Sequence, residues 1–217
     1  MLDWQFMINA IPAYTKGLYL TLSISFFGIV LSIFIGLFVA LILFYRIPFL
    51  KNIANFYVEL SRNTPLLIQL FFLYYGLSQI GIVLSAYHCA VIGVAFLGGG
   101  YMAESFRLGL GAVSKVQIEA GLSLGLNRLQ MIYYVIFPQS LSVSMPSIGA
   151  NAIFLLKETS VVSAIALADV MFVTKDLMGT YYKTTEALIM LVIAYLIVLL
   201  PMSALFVALE HHYKKRL

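Results

Sequence analysis

The sequence predicts an all-α, polytopic membrane protein with five transmembrane helices. Its 217 residues are 62% hydrophobic and 10% charged, whereas a soluble domain carries about 45–50% apolar and about 25% charged residues. So few charges cannot cover a surface that faces water, which excludes a soluble enzyme, a disordered protein and a secreted disulfide scaffold. Long apolar stretches without period-two alternation are typical of spanning helices, because only helices or closed barrels satisfy the backbone in lipid.

Four stretches contain no Asp, Glu, Lys or Arg, and they cover residues 17–45, 63–103, 129–156 and 187–209. A spanning helix needs about 20 residues, so the second stretch can hold two helices and each of the others one. Glycine and serine interrupt the second stretch between Gly76 and Ser85, which predicts the break there. The five helices are therefore predicted at 17–45, 56–79, 87–112, 131–157 and 185–209, within a single domain that covers residues 1–217.

The basic residues predict the orientation of the chain. Five spans place the two termini on opposite sides, and a cytoplasmic carboxyl end leaves four of the 13 basic residues outside, namely Lys16, Lys157, Lys175 and Lys183. The positive-inside rule therefore predicts an outer amino terminus and a cytoplasmic carboxyl terminus. The net charge of +4 does not indicate a nucleic-acid partner, because the basic residues are scattered or lie at the ends of apolar runs. The expected environment is a lipid bilayer.

The connector between the third and fourth helices carries a short helix of its own. Residues 117–124 are predicted to be helical, and Gly125 ends this helix. The connector is too apolar for a solvated loop, because it includes Ile118, Leu122, Leu124 and Leu126. A short amphipathic helix of this kind indicates a surface that docks on another protein, and a helix lying on the lipid interface is the alternative.

At this connector the sequence resembles a known family. Glu119, Ala120 and Gly121 are followed after three residues by Gly125, and nine more residues lead to the run Val135-Ile136-Phe137-Pro138. This spacing resembles the pattern Glu-Ala-Ala, three residues, Gly, nine residues, Ile-x-Leu-Pro of binding-protein-dependent ABC importer permeases. The departures are Ala to Gly at 121, Ile to Val at 135 and Leu to Phe at 137, and each new residue is small or apolar.

Further segments resemble the polar amino acid branch of that family. Residues 59–70 (ELSRNTPLLIQL) resemble its ELxRGTPLLVQL segment, and residues 99–110 (GGYMAESFRLGL) resemble its GAYxAExxRxGL segment. Residues 155–165 (LLKETSVVSAI) are similar to its LLKDTSLxSxI segment, and residues 138–140 (PQS) are similar to part of its LPQA segment. The resemblance implies the type I ABC importer permease fold and a location in the bacterial inner membrane.

The resemblance also implies that residues 117–126 form a cytoplasmic coupling helix that docks on an ABC ATPase subunit. The ATPase-coupling residues would be a charged anchor, a set of small or turn-forming residues and a proline, namely Glu119, Ala120, Gly121, Ser123, Leu124, Gly125 and Pro138. The chain lacks the phosphate-binding pattern GxxxxGK[ST], so no cofactor is expected in it, and ATP and Mg would be bound by the partner ATPase. The other implied partners are an identical or paralogous permease subunit, an extracytoplasmic solute-binding protein and an amino acid substrate.

Polar residues that interrupt the apolar runs are candidates for the substrate pathway, because ionisable groups are costly in lipid. Lys157, Glu158, Thr159 and Ser160 separate two apolar runs and predict a broken helix beside a cavity. There Glu158 could pair with an ammonium group, while Thr159 and Ser160 hold a carboxylate. The alternative is a Lys157–Glu158 pair that caps the fourth helix at the outer interface.

Two other groups of polar residues could either stabilise the fold or line the substrate pathway. Arg62 and Thr64 precede Pro65 at the start of the second helix, where Thr64 is expected to cap the helix. Glu104 and Arg107 lie three residues apart on one helix face, so they can pair with each other. Tyr101 lies close to that face. The alternative for Arg62, Thr64, Tyr101 and Glu104 is direct contact with the substrate.

The sequence therefore predicts the permease subunit of an ATP-driven amino acid importer, which is not itself an enzyme. A stand-alone secondary carrier is one alternative, and it would couple to ions through buried carboxylates. An intramembrane enzyme is a second alternative, and it would need a Ser–Lys, paired Asp or metal-binding set within the spans. The one dense polar cluster, residues 157–160, has one carboxylate and no His, and a single cysteine excludes a Cys-based zinc site.

Overall fold

A computed structural model describes residues 2–214 of the chain. Across those residues the backbone forms helices and no strands, which confirms the predicted all-α class. Numbered in chain order, the helices are α1 (Trp4–Phe44), α2 (Leu50–Asn63), α3 (Leu66–Gln79), α4 (Ala86–Ala112), α5 (Lys115–Ser123), α6 (Arg128–Ile165), α7 (Val170–Tyr181) and α8 (Thr184–Lys214).

Among the described residues, α1, α4, α6 and α8 are long and apolar enough to cross a membrane, and α3 is a shorter apolar helix. Large apolar side chains such as Phe34 (67% exposed) and Phe38 lie on the outside of α1, and Leu196 and Leu200 lie on the outside of α8. Exposed apolar surface of this extent is typical of helices that face lipid. The count of five spans stays a prediction, because α3 falls short of the length of the other four.

The ends of the helices differ from the predicted ends at positions where the prediction treats a charged residue as the boundary of a helix. Helix α1 begins at Trp4, well before residue 17, because Lys16 lies on its exposed side and does not interrupt the backbone. Helix α8 likewise continues past residue 209 to Lys214. A charge-free stretch therefore marks the apolar part of a helix rather than its ends.

The helix predicted at 56–79 is two helices, α2 and α3. Pro65 has φ −59° and ψ 142°, an extended conformation that takes the N-cap position of α3, so the expected Thr64 cap is wrong. Instead, the Thr64 carbonyl accepts a hydrogen bond from Gln69 Nε2 at 3.0 Å. The break follows from the proline, which lacks a backbone N–H and disfavours the α conformation in the preceding residue.

Two helices contain irregular turns. In α3 the residues Phe72–Gly76 form a π-helical turn, and in α6 the residues Ile132–Ile136 form another. The second lies just before Pro138, whose missing N–H already breaks the regular hydrogen-bond ladder at this point. Beyond Glu158, α6 changes to a 3-10 helix over Thr159–Ile165.

The chain divides into two compact units. The first comprises residues 2–30, Thr64–Phe96 and Ile153–Met202. Its core joins α1 to α7 and α8 through the buried residues Ala10, Tyr14, Val170, Met190 and Ala194. The Tyr14 hydroxyl donates to the Ala187 carbonyl at 2.8 Å and lies 3.0 Å from Thr174 Oγ1, so this buried polar group is fully paired.

The second unit comprises Leu31–Asn63, Leu97–Ala152 and residues 203–214. Its core joins α1 to α2 and α4 through Val39, Ile42, Ala54, Val58 and Ala103. Polar side chains join α4 to α6, because Ser105 Oγ lies 2.8 Å from Ser147 Oγ and accepts a hydrogen bond from Asn151 Nδ2 at 2.9 Å. The long helices contribute to both units, so the predicted single domain stays a prediction.

Candidate functional site

The segment that contains the expected coupling residues is fixed at its start by a capping box. Ser114 is the N-cap of α5, and its Oγ accepts a hydrogen bond from the backbone N–H of Gln117 at 3.3 Å. In return, Gln117 Oε1 accepts from the Ser114 N–H at 3.3 Å. Two of the free donors at the helix start are thereby satisfied by side chains that the sequence supplies three residues apart.

The end of α5 is fixed by a Schellman motif centred on Gly125. The Gly125 N–H donates to the Leu122 carbonyl at 2.9 Å, and the Leu126 N–H donates to the Gly121 carbonyl at 3.1 Å. Gly125 has φ +79°, in the left-handed region that favours glycine. The glycine of the family pattern is therefore favoured here by the backbone of the turn.

The same turn leads directly into α6. Asn127 caps α6 in a second capping box with Gln130, in which both hydrogen bonds are 2.9 Å long. Gly121 is buried against Met131, and a Cβ added at Gly121 would lie 2.5 Å from the methionine Cε. Residues 114–131 are thus held by local hydrogen bonds at three points and by packing at a fourth.

This segment exposes apolar side chains together with one acidic group. Val116 is 72% exposed, Leu122 55% and Leu124 83%. Glu119 and Ala120 are exposed beside them, as is Ser123, whose hydroxyl donates to the Glu119 carbonyl at 2.9 Å. Across residues 2–214, no hydrogen bond or ion pair joins the Glu119 carboxylate to another side chain. Pro138 is exposed on α6, after the π-helical turn.

The polar residues 157–160 lie at the change from α-helix to 3-10 helix in α6. Lys157 is exposed, Glu158 and Ser160 are half-buried, and Thr159 is buried with its hydroxyl donating to the Leu156 carbonyl at 2.7 Å. The 3-10 turn contacts the first turns of α3 and also α7, and it ends at Ala166 with φ +59°. The helix therefore changes its geometry at this position without being interrupted, and the predicted break beside a cavity stays a prediction.

The alternative for this cluster, a Lys157–Glu158 ion pair, is not found in the described part of the chain. The Glu158 carboxylate is half-buried and faces no cation within ion-pair distance there. Around it, Ser163 Oγ donates to the Ser160 carbonyl at 3.0 Å and accepts from Lys175 Nζ at 3.0 Å. These bonds join the 3-10 turn to α7 and leave the Glu158 carboxylate for another partner.

Arg62, Tyr101 and Glu104 lie in the second unit. The Arg62 guanidinium lies 5.2 Å from the centroid of the Tyr101 ring, which is the geometry of a cation–π contact. Arg107 Nη2 and Nε both donate to Glu104 Oε2, at 2.5 and 3.2 Å. The pairing expected from their spacing is therefore present. Thr64 and residues 157–160 belong to the first unit.

Sequence reasoning missed the most deeply buried carboxylate, Asp169. Its side chain is 0% exposed, and Oδ1 accepts a hydrogen bond from the Phe172 N–H at 2.8 Å as the N-cap of α7. Oδ2 has no hydrogen-bond partner among the described residues. Burial raises the pKa of Asp169 to about 6, while the Phe172 N–H and then Lys175 act in the opposite direction. An Asp directly before an apolar helical run was the signal for this cap.

Comparisons with known proteins identify the family. Residues 28–216 match the family model described as "Binding-protein-dependent transport system inner membrane component". The "probable amino-acid permease protein YxeN" of Bacillus subtilis (strain 168) is 33% identical over 94% of this chain and 92% of its own. The "arginine transport system permease protein ArtQ" of the same organism is 32% identical over 98% of both chains.

A solved structure is similar over nearly the whole length. It is described as the "crystal structure of an amino acid ABC transporter with histidines", and it superposes with a TM-score of 0.88 at 33% identity, covering 98% of this chain and 99% of the other. The fold is therefore that of an ABC importer permease. By its family match over most of its length, the chain belongs to the inner-membrane components of binding-protein-dependent transport systems.

Proposed function

We propose that this chain is the membrane-spanning permease subunit of an ATP-driven amino acid importer, and that residues 114–131 dock on the ATPase. The observation that carries the proposal is the shape of this segment. It is fixed by two capping boxes and a Schellman motif, yet it exposes apolar side chains that no described residue covers. A rigid element can transmit force, and exposed apolar surface outside a spanning helix favours a protein partner.

The partners follow from the same proposal. The ATPase binds ATP and Mg and hydrolyses the nucleotide, since this chain lacks the phosphate-binding loop. A second permease subunit, identical or paralogous, completes the pathway, and an extracytoplasmic solute-binding protein delivers the substrate. The orientation is the predicted one, with the amino terminus outside and residues 114–131 in the cytoplasm.

The substrate is an amino acid, by analogy with the relatives, whose names specify amino acids, arginine among them. Within the first unit, the half-buried Glu158 offers a carboxylate for an ammonium group, and Ser160 and Thr159 offer hydroxyls nearby. Arg62, Tyr101, Glu104 and Thr64 are proposed to line the pathway as well. In the isolated chain Arg62 lies over the Tyr101 ring, Glu104 pairs with Arg107, and the Thr64 carbonyl accepts a hydrogen bond from Gln69.

Two glycines with the same backbone conformation provide the test of coupling. Gly125 has φ +79° and Gly81 has φ +85°, and an added Cβ would meet nothing within 4 Å at either position. Gly125→Asp and Gly81→Asp should therefore cost the fold a similar amount, about 1–2 kcal/mol, because an L-residue is strained in the left-handed region. We expect only Gly125→Asp to uncouple ATP hydrolysis from uptake in the reconstituted complex. Equal coupled transport by both variants would contradict the docking role.

Energy coupling separates the proposal from the alternatives. Uptake into proteoliposomes should require ATP on the side of the ATPase and should not respond to an ion gradient. Uptake driven by a gradient without any ATPase would favour a secondary carrier, and conversion of the substrate without translocation would favour an enzyme.

The proposed orientation has a direct test, since the natural cysteine, Cys89, is buried. A Ser123→Cys variant carries one exposed thiol on α5. A membrane-impermeant maleimide should label it in inside-out vesicles and not in intact cells, and the reverse pattern would place this segment outside.

A further inference from the structure

A polar cavity of about 410 Å³ lies in the second unit, between the end of α1, one face of α2 and the last turns of α4. Its charged and amide side chains are Arg46, Lys51, Asn55, Glu59, Glu104 and Arg107. On α2 these residues recur at intervals of four, which places Lys51, Asn55 and Glu59 on one helix face. The cavity is therefore built by three elements and is not a feature of one loop.

The charges around this cavity do not balance locally. Glu104 is paired with Arg107, and Glu59 Oε2 accepts a hydrogen bond from Asn63 Nδ2 at 2.9 Å. The two other cations, Arg46 and Lys51, make no ion pair or side-chain hydrogen bond with any residue between 2 and 214. Asn63 is neutral, so Glu59 keeps its negative charge, and the three cations and two carboxylates around the cavity leave one net positive charge for an anion.

The backbone presents Arg46 in an unusual position. Helix α1 ends in a Schellman motif, in which the Arg46 N–H donates to the Leu43 carbonyl at 3.3 Å and the Ile47 N–H donates to the Ile42 carbonyl at 3.2 Å. Arg46 occupies the left-handed position of this motif, with φ +50°, where glycine is the usual residue. Arg46 therefore lies in the turn that connects α1 to α2.

The surroundings of the cavity favour a position at a membrane interface. Arg46 follows directly on the end of the apolar helix α1. On α2, the side away from the cavity exposes Ile53, Phe56 and Leu60. A short helix with one polar face and one exposed apolar face is typical of a segment that lies at the level of lipid headgroups, and basic pockets there bind anionic headgroups.

From these observations we propose that Arg46 and Lys51 bind the phosphate of an anionic phospholipid in this cavity, with Arg107 and Asn55 at its edge. The guanidinium and the ammonium donate to the phosphate oxygens. The acyl chains would lie in the surrounding bilayer. A free phosphate ester would present the same oxyanion to these two side chains. The exposed apolar face of α2 favours the lipid over the free ester as the ligand.

The test measures lipid binding by the full-length chain, purified in a neutral detergent, using native mass spectrometry. The probes are phosphatidylglycerol, phosphatidylcholine and the soluble headgroup analogue glycerol 3-phosphate. Phosphatidylglycerol should bind in preference to phosphatidylcholine. Arg46→Gln and Lys51→Gln should each weaken the binding of phosphatidylglycerol about fivefold, and the double variant should weaken it about thirtyfold. These factors correspond to the binding energy of about 1 kcal/mol that each basic residue contributes near a membrane surface.

Lys16→Gln is the matched control, because Lys16 is also an exposed lysine and is not among the residues that line this cavity. It should leave the binding of phosphatidylglycerol unchanged. Lys51 is exposed on α2, so its replacement should not disturb folding, and size-exclusion profiles of all variants check this. Equal binding of the two lipids, equal loss in the control, or displacement by glycerol 3-phosphate at matched concentration would each overturn the assignment.

Discussion

At the level of single residues, Asp169 couples the stability of the first unit to pH. Burial raises the pKa of its carboxyl from 3.8 to about 6 in the folded chain. Because the folded state then binds the proton more tightly than the unfolded state, this group favours folding most below about pH 4, and the contribution is lost as the pH rises through about 6. Lowering the pH from 7 to 5 should therefore stabilise the protein by about 1 kcal/mol through this residue.

The measurement is thermal unfolding of the purified chain in detergent at pH 5 and pH 7, for the natural protein and for Asp169→Asn. Asparagine keeps an oxygen that can accept the hydrogen bond from the Phe172 N–H, so the cap of α7 is retained. The variant should lose the part of the pH dependence that belongs to Asp169. The ion pair between Asp3 and Lys183 does not contribute to the difference between pH 5 and pH 7. The Phe6 N–H and Lys183 lower the pKa of Asp3, and Asp3 raises the pKa of Lys183, so both groups stay charged between these two pH values. An unchanged slope in Asp169→Asn would show that another group is responsible.

Contacts between residues close in the chain were predictable, and contacts between distant residues were not. The Glu104–Arg107 pair follows from a spacing of three residues on a helix, and the structure has it. The Gly125 turn follows similarly from a local pattern. The cavity that brings Arg46 and Lys51 to Glu104 depends on how α1 and α2 pack against α4, which no local pattern encodes.

At the level of helices, the packing of α4 on α6 depends on Gly109. A Cβ at this position would overlap the Ser140 carbonyl oxygen and Ser144 Oγ, and the carbonyl belongs to the backbone of α6 and cannot rotate away. Small residues at such crossings allow membrane helices to approach closely. Gly109→Ala should therefore force the two helices apart and destabilise the protein by about 1–3 kcal/mol.

Gly111, two residues further along α4, is the matched control. An added Cβ there would meet nothing within 4 Å, so Gly111→Ala should be neutral or stabilising by up to about 1 kcal/mol through helix propensity. Thermal stability of both variants in the same detergent separates the two effects. Equal stability of the two variants would mean that α4 and α6 are not held at this distance.

The positions of the helices were predictable to different degrees. The start and end of α4 were predicted within one residue, because its apolar run is bounded by turn residues on one side and by charges on the other. The single helix expected at 56–79 was wrong, since an apolar run that begins at residue 63 hides the break that Pro65 imposes. Composition located the membrane-facing surface, and backbone chemistry decided where each helix stops.

At the level of the whole molecule, the proposed function requires partner subunits, and two features of the chain support this requirement. It has no nucleotide-binding loop, and the surface of residues 114–131 exposes apolar side chains outside a spanning helix. The family pattern that begins in this segment includes a glycine favoured by the turn and, further along α6, a proline after a π-helical turn. The resemblance was therefore informative because its motif residues have structural reasons to be where they are.

Uptake by the assembled transporter provides the test of the proposed substrate contact at Glu158. If this carboxylate pairs with the ammonium of the amino acid, Glu158→Gln removes a charge-assisted hydrogen bond of about 1.5–3 kcal/mol and should raise the KM for uptake about tenfold or more.

The transporter with this variant should still fold and hydrolyse ATP at the basal rate, because no described residue depends on Glu158 for an ion pair. The control is Glu210→Gln, which removes a carboxylate paired with Lys214 near the carboxyl end and should leave the KM unchanged. The substrate to use is whichever of arginine, glutamine or histidine the proteoliposomes accumulate fastest. A KM that stays the same in both variants would exclude Glu158 from the pathway.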